Sequence, residues 1–215
     1  MRAETAVRGH AASVRWGAYL LPVAIMVLVT VDVLLDGPLR RLDWTAHEFF
    51  DAHVRDGLLT AVHLATKFGQ RGDLVLLILP LSVIACVRTR SPRPLLASAV
   101  IVVGLSLLQN GLKAVIPRTY PYSGMDVLFA QGNAYPSGHT LNAFVLIWLI
   151  LELLVVAFPA VRLPGHRRRG IALATGCVTA VALTVADEHW FTDVLFSLAL
   201  GPVLLSLLTR WHPIR

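Results

Sequence analysis

The sequence has few charged residues: they make up 15% of its 215 residues, whereas a soluble domain carries roughly 25%. Apolar side chains account for 56% of the chain, and the mean hydropathy is +0.67. These values exclude an ordinary soluble domain and indicate that lipid surrounds much of the chain.

Cysteine is also scarce. The two cysteines, Cys86 and Cys177, both lie in apolar stretches, so neither a disulfide framework nor a cysteine-rich zinc site is available. The histidines His47, His53 and His63 follow no metal-ligand spacing, and we interpret them as interfacial residues. The sequence therefore predicts no metal and no other cofactor.

The apolar residues are gathered into stretches of the length that crosses a bilayer as a helix. We predict membrane-spanning helices over residues 17–36, 73–88, 95–112, 139–160, 171–188 and 190–209. The first stretch follows a basic tail, as a signal peptide would, but no small-residue cleavage site follows its core, so we predict a retained helix. The predicted fold class is an all-α bundle of six transmembrane helices, with residues 1–215 forming a single membrane-embedded domain.

The net charge of +6 is unevenly placed. Basic residues are concentrated in the N-terminal tail, in residues 88–94 and 162–170, and near the C-terminus, which share one side of a six-span topology. Most carboxylates fall on the other side. Because basic loops stay in the cytoplasm, both termini are predicted to be cytoplasmic in a multi-pass protein of the plasma membrane. The basic surplus is thus a topology signal, so no nucleic acid partner is predicted, and the oligomeric state stays open.

Residues 37–72, between the first two spans, are too long for a tight turn. One stripe at helical spacing runs along this segment: Trp44, His47, Phe50, Val54, Leu58 and Ala61. The pattern predicts one or two amphipathic helices lying in the membrane interface. Such a segment is either a lid packed on the bundle or a portal that admits lipid.

Three short polar segments lie at the ends of predicted spans. They are residues 113–121 (KAVIPRTYP), 136–139 (PSGH) and 189–193 (HWFTD). The segments are distant in sequence, yet the predicted topology puts all three at the extracytoplasmic face. We therefore expect their side chains to converge.

The residue types in these segments suit phosphoryl transfer. Lys113 and Arg118 are cations that can hold phosphate oxygens, while Ser137 and Gly138 stand at a helix start, where free N–H groups bind anions. Lys113 and Arg118 alone are equally well explained as interface anchors, and Pro-Ser-Gly alone as a turn with an N-cap.

Two histidines complete the pattern. Asp193 follows His189 by four residues, so on a helical turn its carboxylate can accept the Nδ1 proton and aim Nε2 as a nucleophile or base. His139 is left as a second imidazole. Alone, the His189–Asp193 pair is best explained as an ordinary helix pair. Together at one membrane face, the groups favour metal-independent phosphoryl transfer.

The order of these motifs resembles that of the type 2 phosphatidic acid phosphatase family. The likeness covers residues 95–200, and the six-span layout extends it to nearly the whole chain. It implies that His189 attacks phosphorus and forms a phosphohistidine, that Asp193 orients His189, and that His139 protonates the leaving oxygen. It further implies that the phosphate is held by Lys113, Arg118, Tyr120, Ser137 and Gly138.

The sequence departs from the family pattern at two places. Tyr120 stands where the first motif has an arginine before Pro121, and Ala182 and Leu183 stand where the third motif has Ser-Arg. Two cations expected around the phosphate are therefore missing. This departure indicates a substrate of lower charge, such as a phosphodiester or a monophosphate, a compensating group such as Arg41 or Arg71, or an inactive relative.

The acidic pair Asp187 and Glu188 lies immediately before His189 and has no predicted role of its own. The leading hypothesis is dephosphorylation of a polyprenyl or glycerolipid phosphate or diphosphate at the extracytoplasmic face. The alternatives are a lipid phosphotransferase, in which Asp187 and Glu188 hold the hydroxyls of an alcohol acceptor, and an inactive lipid-binding relative.

Overall fold

The fold is known from a computed structural model, which describes residues 17–214. Its α-helices are α1 (Gly17–Leu34), α2 (Pro38–His53), α3 (Asp56–Thr66), α4 (Arg71–Thr89), α5 (Arg93–Val115), α6 (Gly138–Ala157), α7 (Gly165–Val185) and α8 (Phe191–Trp211). Short 3-10 turns lie at Lys67–Gly69 and Pro121–Ser123. Within the described range, α1 and α4 to α8 are the six helices long and apolar enough to cross a membrane. The predicted all-α bundle is therefore confirmed.

The predicted spans agree with these helices except at α7. This helix begins at Gly165 rather than at residue 171, and its first turns include Arg167, Arg168 and Arg169. Hydropathy alone excludes such basic residues from a span. A helix can nevertheless extend beyond the hydrocarbon layer and keep its arginines at the rim.

Helix α6 is the centre of the bundle and packs against α4, α7 and α8. Its Phe144 is fully buried between two glycines, Gly176 of α7 and Gly201 of α8. A Cβ atom at these positions would lie 2.5 Å and 2.1 Å from the Phe144 ring, so only glycine permits this approach. Helices associate in lipid through close packing of small residues, because burial of apolar surface there contributes little to the free energy of association.

The segment between α1 and α4 forms two helices because the chain breaks at Val54, which is extended. This break divides the predicted stripe. The residue that α2 buries is Asp43, a carboxylate outside that stripe. Helix α2 packs on α1, α7 and α8, and α3 packs on α7, as expected of a lid.

Candidate active site

The three polar segments come together at one end of the bundle. Lys113 is on the last turn of α5, His139 is the second residue of α6, and His189 lies two residues before the first residue of α8. A cavity of about 520 Å³ opens there. Its lining residues are Gln70, Arg71, Gln109, Asn110, Lys113, Ala114, Tyr120, Asn133, Gly138, His139 and Asn142.

His189 adjoins this cavity through two of its lining residues. Its ring centroid lies 6.2 Å from that of His139 and 5.5 Å from that of Tyr120. Nδ1 of His189 is 3.2 Å from Oδ2 of Asp193, and both side chains are buried. Because a carboxylate only accepts hydrogen bonds, this contact places the imidazole proton on Nδ1 and leaves the Nε2 lone pair free to react.

Asp193 is itself held by the start of α8. Its Oδ2 accepts a hydrogen bond from the backbone N–H of Trp190 at 3.1 Å, which caps the helix. Its Oδ1 accepts a hydrogen bond from Nη1 of Arg118 at 3.0 Å. The carboxylate that aims His189 is therefore fixed by both of its oxygens.

Arg118 does not occupy the position that the sequence predicted. Its side chain is fully buried, and all five of its N–H donors are bonded within the protein. They reach Asp43 at 2.7 Å, Asp126 at 2.7 and 2.8 Å, Asp193 at 3.0 Å and Thr192 at 2.7 Å. No donor is left for a phosphate oxygen, so we correct the prediction: Arg118 is a positioning residue for Asp193.

The other carboxylates around Arg118 differ in their environment. Burial raises the pKa of Asp43 to about 6, because the Arg118 charge and the Thr192 hydrogen bond offset only part of the desolvation. Burial acts on Asp126 in the same direction, but hydrogen bonds from Arg118 and Arg40 outweigh it and hold the pKa of Asp126 below its ordinary value. Asp43 also accepts hydrogen bonds from the Thr192 N–H and hydroxyl, at 2.8 and 2.6 Å. Through this residue, α2 is tied to the start of α8.

Ser137 is the N-cap of α6, which is one of the two interpretations that the sequence left open for Pro-Ser-Gly. Its buried hydroxyl caps α6 by accepting a hydrogen bond from the Thr140 N–H at 3.4 Å, and its own N–H donates to the Asp193 carbonyl at 3.1 Å. These bonds join the start of α6 to the start of α8, and Ser137 itself is not among the residues that line the cavity. Gly138 does line the cavity, as predicted, and the first N–H groups of a helix have no intrahelical acceptor.

Lys113, Tyr120 and His139 line the cavity, as the sequence predicted. Lys113 and Tyr120 both donate to the backbone carbonyl of Asn133, Tyr120 at 3.0 Å. Burial raises the pKa of Tyr120 to about 12, so its hydroxyl remains a donor at neutral pH. Nε2 of His139 is 2.9 Å from Oε1 of Gln70, which orients the ring and places a proton on Nε2.

Among the cavity residues to which the sequence analysis gave no fixed role, Gln109 and Arg71 contact each other. Gln109 is almost fully buried and donates to the Asn142 side chain at 2.9 Å, while its Oε1 accepts from Arg71. Arg71, the first residue of α4, was suggested only as one of two compensating cations, and it lines the cavity. Arg71 therefore brings one cation into the cavity from a helix that carries none of the three motifs.

Asp187 and Glu188 face the lid helices. Asp187 Oδ1 lies 2.7 Å from Nδ1 of His47 on α2, and Glu188 Oε1 lies 3.3 Å from Oγ1 of Thr66 and 3.6 Å from Nε2 of His63 on α3. Burial raises the pKa of Asp187, and the hydrogen bond with His47 partly offsets this effect. The contacts with Asp187 and Glu188 thus account for the positions of His47 and His63.

These contacts predict that Asp187→Asn loosens α2 without altering the acceptor preference of the enzyme. Asp187 has a φ of 58°, a conformation that asparagine tolerates, so the backbone is retained. Loss of one half-buried hydrogen bond to a carboxylate is worth about 1 kcal/mol, and amide hydrogen exchange in α2 should quicken roughly fivefold. The exposed Asp51→Asn serves as control. Unchanged exchange together with loss of transfer to alcohols would contradict this assignment and favour acceptor binding.

No cluster of histidine, cysteine and carboxylate ligands suited to a metal ion occurs among residues 17–214. The cavity side chains are instead cations, amides and an imidazole. Their chemistry suits an anion such as phosphate.

Similarity to known proteins shows the fold and the family of this chain. No curated protein matches the chain. The fold is similar to the crystal structure described as that of the first transmembrane PAP2 type phosphatidylglycerolphosphate phosphatase from Bacillus subtilis. The TM-score is 0.69 at 20% sequence identity, over 89% of this chain and 95% of the other. The family model of the PAP2 superfamily matches residues 94–215, a range that contains Lys113, His139 and His189. The chain therefore belongs to the PAP2 superfamily.

Proposed function

We propose that this protein is a metal-independent phosphatase that removes phosphate from a membrane lipid through a phosphohistidine. The observation that carries the proposal is the buried His189–Asp193 pair beside a cavity lined by Arg71, Lys113 and His139. An imidazole with its Nε2 lone pair free is a nucleophile, and fixed cations stabilise the charge of a transferring phosphoryl group.

In the first step, Nε2 of His189 attacks phosphorus. The N–P bond forms as the bond between phosphorus and the lipid oxygen breaks, and His139, which enters this step as the imidazolium with a proton on each ring nitrogen, gives its Nε2 proton to that oxygen. Asp193 stabilises the positive charge that develops on His189. Arg71 and Lys113 hold the non-bridging oxygens.

In the second step, water attacks the phosphohistidine. His139, now neutral, takes a proton from this water, the N–P bond breaks, and inorganic phosphate leaves. His189 returns to its Nδ1–H form, hydrogen-bonded to Asp193. Each group thus ends the cycle in the state in which it began.

A panel assay tests the proposal. Purified protein in detergent with EDTA is given polyprenyl and glycerolipid phosphates and diphosphates, with and without alcohol acceptors. Release of inorganic phosphate is expected without any added metal. Product that requires the acceptor would identify a phosphotransferase, and no turnover of any substrate would identify an inactive lipid-binding relative.

Arg71 and Lys113 are expected to contribute most to substrate binding. Arg71→Gln and Lys113→Gln each remove charged hydrogen bonds worth about 1.5–3 kcal/mol, so kcat/KM should fall by roughly 10- to 100-fold. The control is Lys67→Gln, an exposed cation between α3 and α4 that does not line the cavity. If Lys67→Gln lowered kcat/KM as strongly, general electrostatic attraction rather than direct contact would explain the loss.

We further propose that the cavity faces outward and that both termini are cytoplasmic, which the distribution of basic residues supports. In a background with Cys86 and Cys177 replaced by alanine, Met125→Cys and Arg167→Cys introduce exposed thiols at opposite ends of the bundle. An impermeant thiol reagent should label residue 125 on intact cells and residue 167 only after lysis. The reverse pattern would invert the topology.

A further inference from the structure

A second cavity lies at the opposite end of the bundle from the candidate active site. It has a volume of about 830 Å³ and is walled by the last turns of α6, the α6–α7 loop, the first turn of α7 and the chain after α8. Helix α6 has 20 residues and is therefore about 30 Å long, so the two cavities are separated by roughly the thickness of a bilayer core. The proposed reaction makes no use of this second cavity.

One ion pair shapes the wall of this cavity. Arg168 is buried and donates to Glu152 at 2.7 and 3.2 Å, and it also donates to the Leu163 carbonyl. These bonds neutralise Arg168 and Glu152 and hold the α6–α7 loop against α6.

Two other arginines of the lining, Arg162 and Arg169, are exposed, and neither forms an ion pair within residues 17–214. Since Glu152 is already neutralised by Arg168, these guanidinium groups leave the cavity with a positive charge. Guanidinium groups bind phosphate oxygens bidentately. The cavity is thus suited to an oxyanion.

An unpartnered buried donor supports the same ligand. Trp148 is 2% exposed and lines the cavity, and its indole N–H has no hydrogen-bond partner in the described part of the chain. A buried N–H without an acceptor is unfavourable, so an occupant that brings an acceptor oxygen is favoured. The remaining wall includes Val155, Val156 and Ile214, which suit the apolar part of an amphiphile.

We infer that this cavity binds the phosphate headgroup of an anionic phospholipid, with Arg162 and Arg169 on the phosphate and the valine wall against the glycerol and proximal acyl carbons. A headgroup is favoured over free phosphate because the cavity combines charge with an apolar wall at a rim of the bundle. This inference is independent of the proposed catalysis.

The test is binding of dihexanoyl phosphatidylglycerol to full-length protein in the Lys113→Gln background, which weakens binding at the catalytic cavity. Native mass spectrometry counts bound lipid, and the thermal unfolding midpoint reports stabilisation. Arg162→Gln/Arg169→Gln should weaken binding at least about tenfold. The control, Arg88→Gln/Arg167→Gln, removes equal charge from exposed positions at the same end that do not line the cavity.

Trp148→Phe keeps an aromatic ring and removes the N–H, and it should weaken lipid binding while leaving the unfolding midpoint of the lipid-free protein unchanged or higher. Dihexanoyl phosphatidylcholine and inorganic phosphate should bind less than phosphatidylglycerol. The inference is overturned if both double variants bind phosphatidylglycerol equally, or if inorganic phosphate stabilises the protein as well as the lipid does.

Discussion

Replacing His189 by alanine is expected to lower kcat on lipid phosphate by on the order of 10³-fold or more, because it removes the attacking atom. The fold should survive, since the start of α8 keeps its Asp193 cap and the Arg118 contacts. Initial rates of phosphate release measure the loss, and the thermal unfolding midpoint verifies folding.

Two companion variants sharpen this prediction. His139→Ala removes the proposed acid and should lower kcat by at least about 10²-fold, less so for a lipid whose leaving group has a low pKa. His53→Ala changes an exposed histidine of α2 that contacts the backbone and the ring of Phe49 within its own helix, and it should leave kcat unchanged. Near-normal turnover of His189→Ala would remove this residue from the role of nucleophile.

Replacing Arg118 by methionine is expected to destabilise the protein by about 3–5 kcal/mol, because three carboxylates then lose their shared buried cation. For a chain of this size the thermal unfolding midpoint should fall by roughly 10 °C. Arg41→Met, an exposed change on α2, is the matched control.

A second substitution distinguishes charge imbalance from lost packing. Adding Asp43→Asn to Arg118→Met removes one of the uncompensated charges and should restore part of the lost stability. A full loss in the double variant would point to packing, such as the contact of the guanidinium with the Trp190 ring at 5.0 Å. An Arg118→Met protein as stable as the wild type would contradict the positioning role altogether.

The helical bundle was predictable because the hydropathy of a segment is enough to indicate that it spans the membrane. Each span is a run of apolar residues, and the basic loops and polar ends mark where each run stops. The meeting of Lys113, His139 and His189 at one end followed from counting spans, since alternate loops of a bundle share a face. The family motifs then assigned a chemical role to each of these residues.

The partners of Arg118 were not predictable, because they depend on long-range packing. Asp43 lies 75 residues from Arg118 in the sequence, on an interfacial helix. A carboxylate on such a helix normally indicates the side that faces water. A cation near a phosphate motif is more simply interpreted as a ligand than as a support for Asp193. Only the burial of α2 against α8 reveals the difference.

The position of Arg71 was hidden for a related reason. It precedes the second span and lies outside the recognised motifs, so its approach to His139 depends on how α4 packs against α6. The break at Val54 was likewise invisible to a helical periodicity that continues through it. In each case the pattern along the sequence was correct, but it does not show which distant residues lie next to the segment in the folded protein.

Rapid-quench mass spectrometry of the protein during its first turnovers on a lipid phosphate tests the central claim most directly. Quenching in alkali preserves phosphohistidine, and the account predicts a phosphoryl group on His189 that disappears as inorganic phosphate is released. Turnover with the phosphoryl group on another residue, or with no phosphorylated protein within the first turnover, would contradict it.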